Sequence, residues 1–549
     1  MPEIGVLSRL LLYFHTLRYL KPAQILGRLV FRLSRRNPDQ RPPPTLRPAS
    51  GTWIPCSRKI SMSGASTFRF LSVTRELSVA GDWNRTDLPK LWLYNLHYFD
   101  DLNADGAPAR AAWHQALIAR WIAENPPAAG NGWEPYPVSL RIVNWVKWAL
   151  AGNVLETGGV HSLAVQARWL MGRLEWHLLG NHLLANAKAL VFAGTFFAGT
   201  EADAWRERGL EILRRQHAEQ ILHDGGHFER SPMYHAIILE DLLDLIQLAL
   251  CWPSVVDAAL VTKWRLQAGL MLHWLAAMTH PNGEIALFND AAMGIAPNSA
   301  ALAAYGAALG LDAPAALQAP LTRLAESGYV RMQKGDAMLI ADVGEIGPDY
   351  LPGHAHADTL SFELSVFGQR LVVNSGTSEY GLGAERLRQR STAAHSTVQI
   401  DGVDSSEVWS GFRVARRARP VGLAVSEDGD AVVEVACAHD GYRRLQGRPL
   451  HRRTWRMTAQ GLRVSDAIDG DFGEAVARYH FHPAVVVSSE AGGGLLHLPD
   501  GHIMRWSITG GTARIVPSTW HPEFGQSIAS ACIELLFSAP QATMEFFWD

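Results

Sequence analysis

Residues 353–397 read GHAHADTLSFELSVFGQRLVVNSGTSEYGLGAERLRQRSTAAHST. Leu360, Phe362, Leu364 and Val366 alternate with Ser361, Glu363 and Ser365, and a period of two marks a half-buried strand. Val372-Val373-Asn374-Ser375-Gly376 is a second apolar strand that ends in polar and small residues. His354 and His356 precede the first strand, and His395 follows a loop rich in Gly and Arg. Imidazoles at strand ends can ligate a metal or move protons near neutral pH. This segment is therefore expected to form one wall of an active site, with the first half of the chain supplying the other.

Beyond this segment the period of two continues. Strands are expected at 370–373, 397–400, 431–436, 451–458, 462–465, 475–481, 503–508 and 532–537, with turns at 427–430 and 491–494. Many strands without intervening helices indicate an antiparallel sandwich. Before Gly328 the spacing is helical instead. Helices are expected at 109–122, 137–151, 161–179, 181–197, 202–222, 232–251 and 254–280. Helices of this length with short connections pack as antiparallel neighbours, and successive hairpins can close into a double-layered toroid. The expected fold is α+β multidomain: an incomplete (α/α) helical toroid over 91–325, then an antiparallel β-sandwich over 326–549. Residues 1–90 are expected to hold basic helices and an irregular linker around the Pro-rich stretch 38–44.

A chain of 549 residues fits two or three domains. The net charge of −3 gives no reason to expect nucleic acid, and an acidic ligand would need local basic groups. The 19 tryptophans suit either an aromatic-lined carbohydrate cleft or a large helical core. Cys56, Cys251, Cys437 and Cys532 form no C-x-x-C pair, which fits a reducing compartment. The start of the chain lacks a basic n-region and a convincing cleavage site, so the expected location is cytoplasmic. Apolar residues interleave there with Arg18, Lys21, Arg28, Arg32, Arg35 and Arg36. That pattern suits a docked helix pair or peripheral contact with an anionic inner-membrane surface. The oligomeric state is not encoded legibly.

Four polar clusters interrupt the helical half. The first holds Asn95, His97, Tyr98 and Asp100; the second holds Glu134 and Tyr136, followed by Arg141 and Asn144. The third opens an apolar helix with Asn181 and His182, and the fourth runs Glu229-Arg230-Ser231-Pro232-Met233-Tyr234. Asn181 suits an N-cap equally well, and Ser231 before Pro232 is a good N-cap.

In this order, Asn181-His182, Tyr234 in ERSPMYH, His354-Ala355-His356 and His395 in STAAHST resemble the heparinase II/III family of polysaccharide lyases. The resemblance covers most of the chain from about Leu91. It implies β-elimination at a uronic acid of a heparin- or heparan-like, alginate-like or bacterial exopolysaccharide. Asn181, with His182 adjacent, would neutralise the carboxylate, and Tyr234 and His354 would supply acid and base. A base role for Tyr234 would require a cation such as Arg230 beside it. Asn95, His97, Tyr98, Glu134, Tyr136, Arg141, Glu229, Arg230, Arg386 and Arg390 are the expected substrate contacts.

The resemblance also implies one structural divalent ion, zinc before others, held by His356, His395 and an aspartate whose position is here Asn374. An amide is the weaker ligand. Two readings therefore stay open, a metal with Asp358 compensating or a metal-free cluster held by hydrogen bonds. The functional alternatives are a glycoside hydrolase using Glu134 and Asp100, and a non-catalytic glycan-binding or polysaccharide-biosynthesis factor.

Overall fold

The computed structural model describes residues 6–34, 37–313, 317, 319–428 and 432–548. Arg35, Arg36, Gly429, Asp430 and Ala431 lie outside the described residues.

The architecture is an incomplete helical toroid followed by an antiparallel sandwich. In the helical half an inner helix alternates with an outer one. The inner helices are Pro135–Leu150, Gly180–Phe196 and Pro232–Cys251; the outer ones are Thr157–Met171, Thr200–Gln220 and Ala258–Ala277. Inner helices are buried on nearly every side, and the charged residues they carry, such as Arg141 and the Lys147–Asp244 pair, are buried with partners. In Gly180–Phe196 every residue except His182 is buried. Small residues let the layers approach. A Cβ at Gly194 would lie 2.4 Å from the Ala202 carbonyl oxygen, and one at Gly209 would lie 2.6 Å from that of Ala187.

One helix ends earlier than its pattern suggests. The helix expected over 161–179 stops at Met171, and the chain re-enters a helix at Gly180. Leu179 (φ 64°) and Gly180 (φ 52°) turn it there through the left-handed region. That break brings Glu175 beside the next helix start.

Three larger sheets follow, together with a two-stranded pair, Val408–Trp409 and Arg413–Val414. A five-stranded antiparallel sheet runs in chain order from Leu321–Leu324 to Gln369–Val372. A four-stranded sheet (Gly511–Trp520, Ile528–Phe537, Ala475–His480, Val398–Ile400) joins it through a bridge between Val372 and Phe481. The eight-stranded sheet, from Pro420–Asp428 to Val486–Glu490, supplies further residues to the same apolar core, among them Trp455, Val464 and Phe546.

The alternation at 360–366 indicated a half-buried strand. The structure corrects this, since all five residues of Phe362–Val366 are buried. The polar face is covered by the helical domain rather than by water. Glu363 accepts from His280 Nε2 at 2.8 Å and from Arg370 at 3.0 Å. A strand between two domains keeps its alternation but spends the polar face on the interface.

Candidate active site

The helical wall is made where inner helices begin. Tyr136 lies in the first turn of Pro135–Leu150, Asn181 and His182 in that of Gly180–Phe196, and Tyr234 in that of Pro232–Cys251. Neighbouring contacts show that these ends converge: the Tyr136 and His182 rings are 4.5 Å apart, and Asn181 Nδ2 donates to Glu229 Oε1 at 3.4 Å. Helix N-termini carry partial positive charge, which favours an anionic ligand. Ser231 is the N-cap, its hydroxyl accepting from the Tyr234 N–H at 3.2 Å. Asn181 is not a cap, because Leu179 occupies that position. Its side chain is left for Glu229 and the cleft.

His182 donates Nδ1 to Glu175 Oε1 at 3.1 Å, and Glu175 is held by Asn186 at 3.0 Å. Burial opposes its charge, but the Glu175 carboxylate prevails and raises its pKa above 6.5. Glu229 is buried, and burial raises its carboxyl above 4.5 despite His354 and His182 nearby. Its Oε2 has no hydrogen-bond partner and lies 3.6 Å from His354 Nε2. A cavity of about 400 Å³ opens beside this wall, lined by Tyr94, Trp133, Glu134, Arg173, His177 and His182 among others. Trp121, Trp145 and Trp264 are fully buried in the helical core, while Trp133 and Trp169 line the cavity.

The opposite wall is organised by Asp290. Its carboxylate accepts from His354 Nδ1 at 2.9 Å, from His356 Nε2 at 2.8 Å, and from both terminal nitrogens of Arg386, one of them at 2.7 Å. Burial would raise this carboxyl, but the Arg386 guanidinium and the two imidazoles hold it well below 3.8. The anchored His354 ring lies 3.9 Å from the Tyr234 ring. Tyr234 Oη meets Tyr380 Oη at 3.0 Å. Burial, then Tyr380 and Asp290, push the Tyr234 phenol well above 10, so it holds its proton. Acid and base candidates thus face one another across the two domains.

Other expected contacts stand elsewhere. His97 is buried between the Trp83 carbonyl and Trp121 Nε1, and burial drives its pKa down to about 3. Arg141 is buried too, bonded to Gln166 and to the carbonyls of His97 and Gly132, with Trp121 3.8 Å beneath it. Asn95 turns back to the Leu91 carbonyl in its own helix. His97 and Arg141 fasten neighbouring segments together with their polar atoms in the core, whereas the half-buried Asn95 bonds only within its own helix. Tyr98 is buried 6.0 Å from the Tyr136 ring. Glu134 is held at the cavity by Lys90 at 2.9 Å and by the Tyr94 hydroxyl.

The arginines are corrected as well. Arg230 reaches the Glu345 and Glu326 carbonyls, so it gives no cation to Tyr234. Arg386 and Arg390 belong to a short helix, Ala384–Arg390, whose guanidinium groups point inward. Arg386 is consumed by Asp290, and Arg390 by the Ala355 and Ser410 carbonyls. Neither reaches solvent, because two buried acceptor sets claim them.

The metal reading is tested by the donor geometry. His356 Nδ1 and His395 Nε2 face one another at 3.2 Å. Asn374 Oδ1, however, lies 3.3 Å from His395 Nδ1, the other nitrogen of that ring. One ion cannot take both. Asp358 is committed through Oδ2 to the Asn289 N–H. Among the described residues no three His, Cys, Asp or Glu side chains converge on a common point. The residues present do not fit a zinc site, and the hydrogen-bonded cluster is the arrangement found.

Asp290, Tyr380 and Glu175 were not singled out in the sequence. Asp290 follows Phe288-Asn289, which signals only a turn, and 64 residues separate it from His354. Their roles arise from contact, not spacing.

A double-layered helical domain whose inner helix ends face a sandwich-borne histidine defines a toroid-plus-sandwich polysaccharide lyase. The chain belongs to the heparinase II/III-like family: the "Heparinase II/III N-terminus" model matches residues 114–305, and the "Heparinase II/III-like, C-terminal" model matches 316–549. FtsZ-localized protein C of Caulobacter vibrioides is 29% identical over 491 residues, spanning 82% of this chain and 78% of that one. A heparin-sulfate lyase of Bacteroides stercoris is 47% identical over 57 residues, 10% of this chain and 9% of that one. The fold matches a crystal structure of heparinase III with a TM-score of 0.69 at 18% identity, covering 85% of this chain and 79% of that one.

Proposed function

We propose that this lyase cleaves a uronate-containing polysaccharide by β-elimination, with His354 as base and Tyr234 as acid. The observation that carries the proposal is the orientation of His354. Its Nδ1 proton is committed to Asp290, which leaves Nε2, 3.6 Å from Glu229 Oε2, as the lone-pair nitrogen. Nε2 takes the C5 proton, the C5–H electrons become the C4–C5 double bond, and the C4–O bond breaks. Tyr234 Oη gives its proton to the departing oxygen. Asn181 and His182 hold the uronate carboxylate and share the charge that develops on it, with the Glu175 carboxylate favouring the His182 cation and burial shifting Glu229 beside them toward its neutral form. The unpartnered Oε2 of Glu229 supports this role, since burial shifts that carboxyl toward the protonated form, which can donate a hydrogen bond.

A panel of heparan-like, alginate-like and bacterial uronate polymers, followed by ultraviolet absorbance of the unsaturated product, tests the proposal. Product is expected for wild type and lost in Tyr234→Phe and His354→Ala. Chain shortening without that absorbance rejects elimination. The hydrolase alternative has little support from its carboxylates, because Glu134 is neutralised by Lys90 and Asp100 accepts from Asn144 at 2.7 Å.

One observation favours a second reading. The relative matching most of the chain is named for localising with FtsZ, so a role within a division-linked assembly is open to this fold. Absence of product on every uronate polymer, together with retained binding, would select it.

A further inference from the structure

We infer that the two helices at 6–33 form a docking surface for an anionic phospholipid bilayer. Helix Val6–Leu17 places Leu7, Leu10, Leu11, Phe14 and Leu17 on one stripe, and all five are exposed. Helix Pro22–Leu33 does the same with Ile25, Leu26, Leu29, Val30 and Leu33, exposed by up to 79% at Leu33. An amphipathic helix on a water-soluble domain normally turns such a stripe inward. Here both helices are docked by their other faces. Trp409 Nε1 donates to Thr16 Oγ1 at 3.0 Å, and the Tyr13 and Trp409 rings are 4.9 Å apart. In the second helix, Gln24 Nε2 donates to the Tyr350 carbonyl at 3.1 Å, and the Phe31 and His177 rings pack at a tilt with centroids 4.3 Å apart. The close fit at Gly27, where a Cβ would lie 2.9 Å from the His177 nitrogen, fixes that orientation. The apolar stripes are therefore held outward by design of the packing.

The charge pattern selects the occupant. Residues 6–34 contain Arg9, Arg18, Lys21, Arg28 and Arg32 and no Asp or Glu. Lys21 pairs with Glu219, but Arg28 and Arg32 are exposed and have no carboxylate partner among the described residues. Apolar stripes bordered by unpaired cations suit the headgroup–acyl boundary of an anionic leaflet. Among the described residues no helix is long and apolar enough to cross a membrane, so the contact is peripheral. It also orients the cleft. Phe31 lines the 400 Å³ cavity, and the first helix contacts the strand pair Val408–Trp409 and Arg413–Val414, between which the Phe412 ring lies 6.3 Å from that of His354. A bound bilayer would border the cleft mouth. This inference stands apart from the proposed reaction and does not require it.

The full chain is sedimented with vesicles of phosphatidylcholine alone or with about a third phosphatidylglycerol. Binding is expected only to the anionic vesicles, and it should weaken at about 1 M salt, where the Debye length is roughly 3 Å. Arg28→Glu with Arg32→Glu should reduce partitioning more than tenfold, at about fivefold per lost basic residue. Leu10→Glu with Phe14→Glu and Leu29→Glu should abolish it, while thermal melting and product formation on soluble glycan stay at wild-type values. A folded wild type that ignores anionic vesicles overturns the inference. So does a stable dimer in light scattering that the Leu→Glu and Phe→Glu variant dissociates, because a second copy then covers the stripes.

Discussion

The two walls of the cleft hold their polar groups in opposite ways. On the helical side Tyr136, Asn181, His182 and Tyr234 hang from first helical turns, and His182 keeps 32% of its side-chain surface exposed. On the other side His354 is locked by Asp290, which is itself locked by Arg386 and His356, all buried except part of His354. The first wall can adjust to a carboxylate that arrives from water. The second fixes the tautomer of one imidazole, which must be correct before any substrate binds. Binding tolerates looseness; proton transfer does not.

That contrast can be broken at several points. The largest effect is expected from His354→Ala and Tyr234→Phe, each lowering kcat by roughly 10²–10⁴-fold with little change in melting temperature. Unsaturated-product kinetics and calorimetry check the pair. Asp290→Asn should act on both axes. It leaves the Arg386 charge buried without its counterion, a loss of about 3–5 kcal/mol, and frees the His354 tautomer, so kcat falls as well. Because the native pKa of Asp290 is depressed, its stabilising contribution is present above about pH 4 and is lost only as pH falls toward its native value. Urea unfolding at pH 7 and at low pH should therefore show the wild-type advantage over Asp290→Asn shrinking in acid.

Asn181→Ala should raise KM and lower kcat/KM by roughly 10–100-fold, with stability changed by less than about 1 kcal/mol, since its bond to Glu229 is long. Smaller still is the pH effect of His182. Its pKa is raised, so the cation persists at pH 6.5 and is lost as pH climbs past the raised value; KM should then increase on the alkaline side. His182→Gln should flatten that limb, and an unchanged limb would remove His182 from carboxylate binding. Chelation by EDTA should change neither melting temperature nor rate, because the donors do not converge. A lowered melting temperature restored by zinc would reverse that conclusion.

The sequence alone carried the helix-to-strand switch near Gly328, the apolar inner helices and the order Asn181, His182, Tyr234, His354. Periodicity encodes which face is buried, and the first-turn positions of the helical motifs followed from the same periodicity. Other features were beyond its reach. Nothing local distinguishes Asn181, facing a cleft, from Asn95, bonded to its own helix at Leu91. Arg386 looks like a solvated cation until Asp290 is placed against it. Both cases turn on contacts between residues far apart in the chain. The sequence determined which groups were present and on which elements; only the tertiary structure decided which of them were consumed by one another and which remained free. A buried charge must find its partner wherever the fold brings one, and local spacing holds no record of that choice.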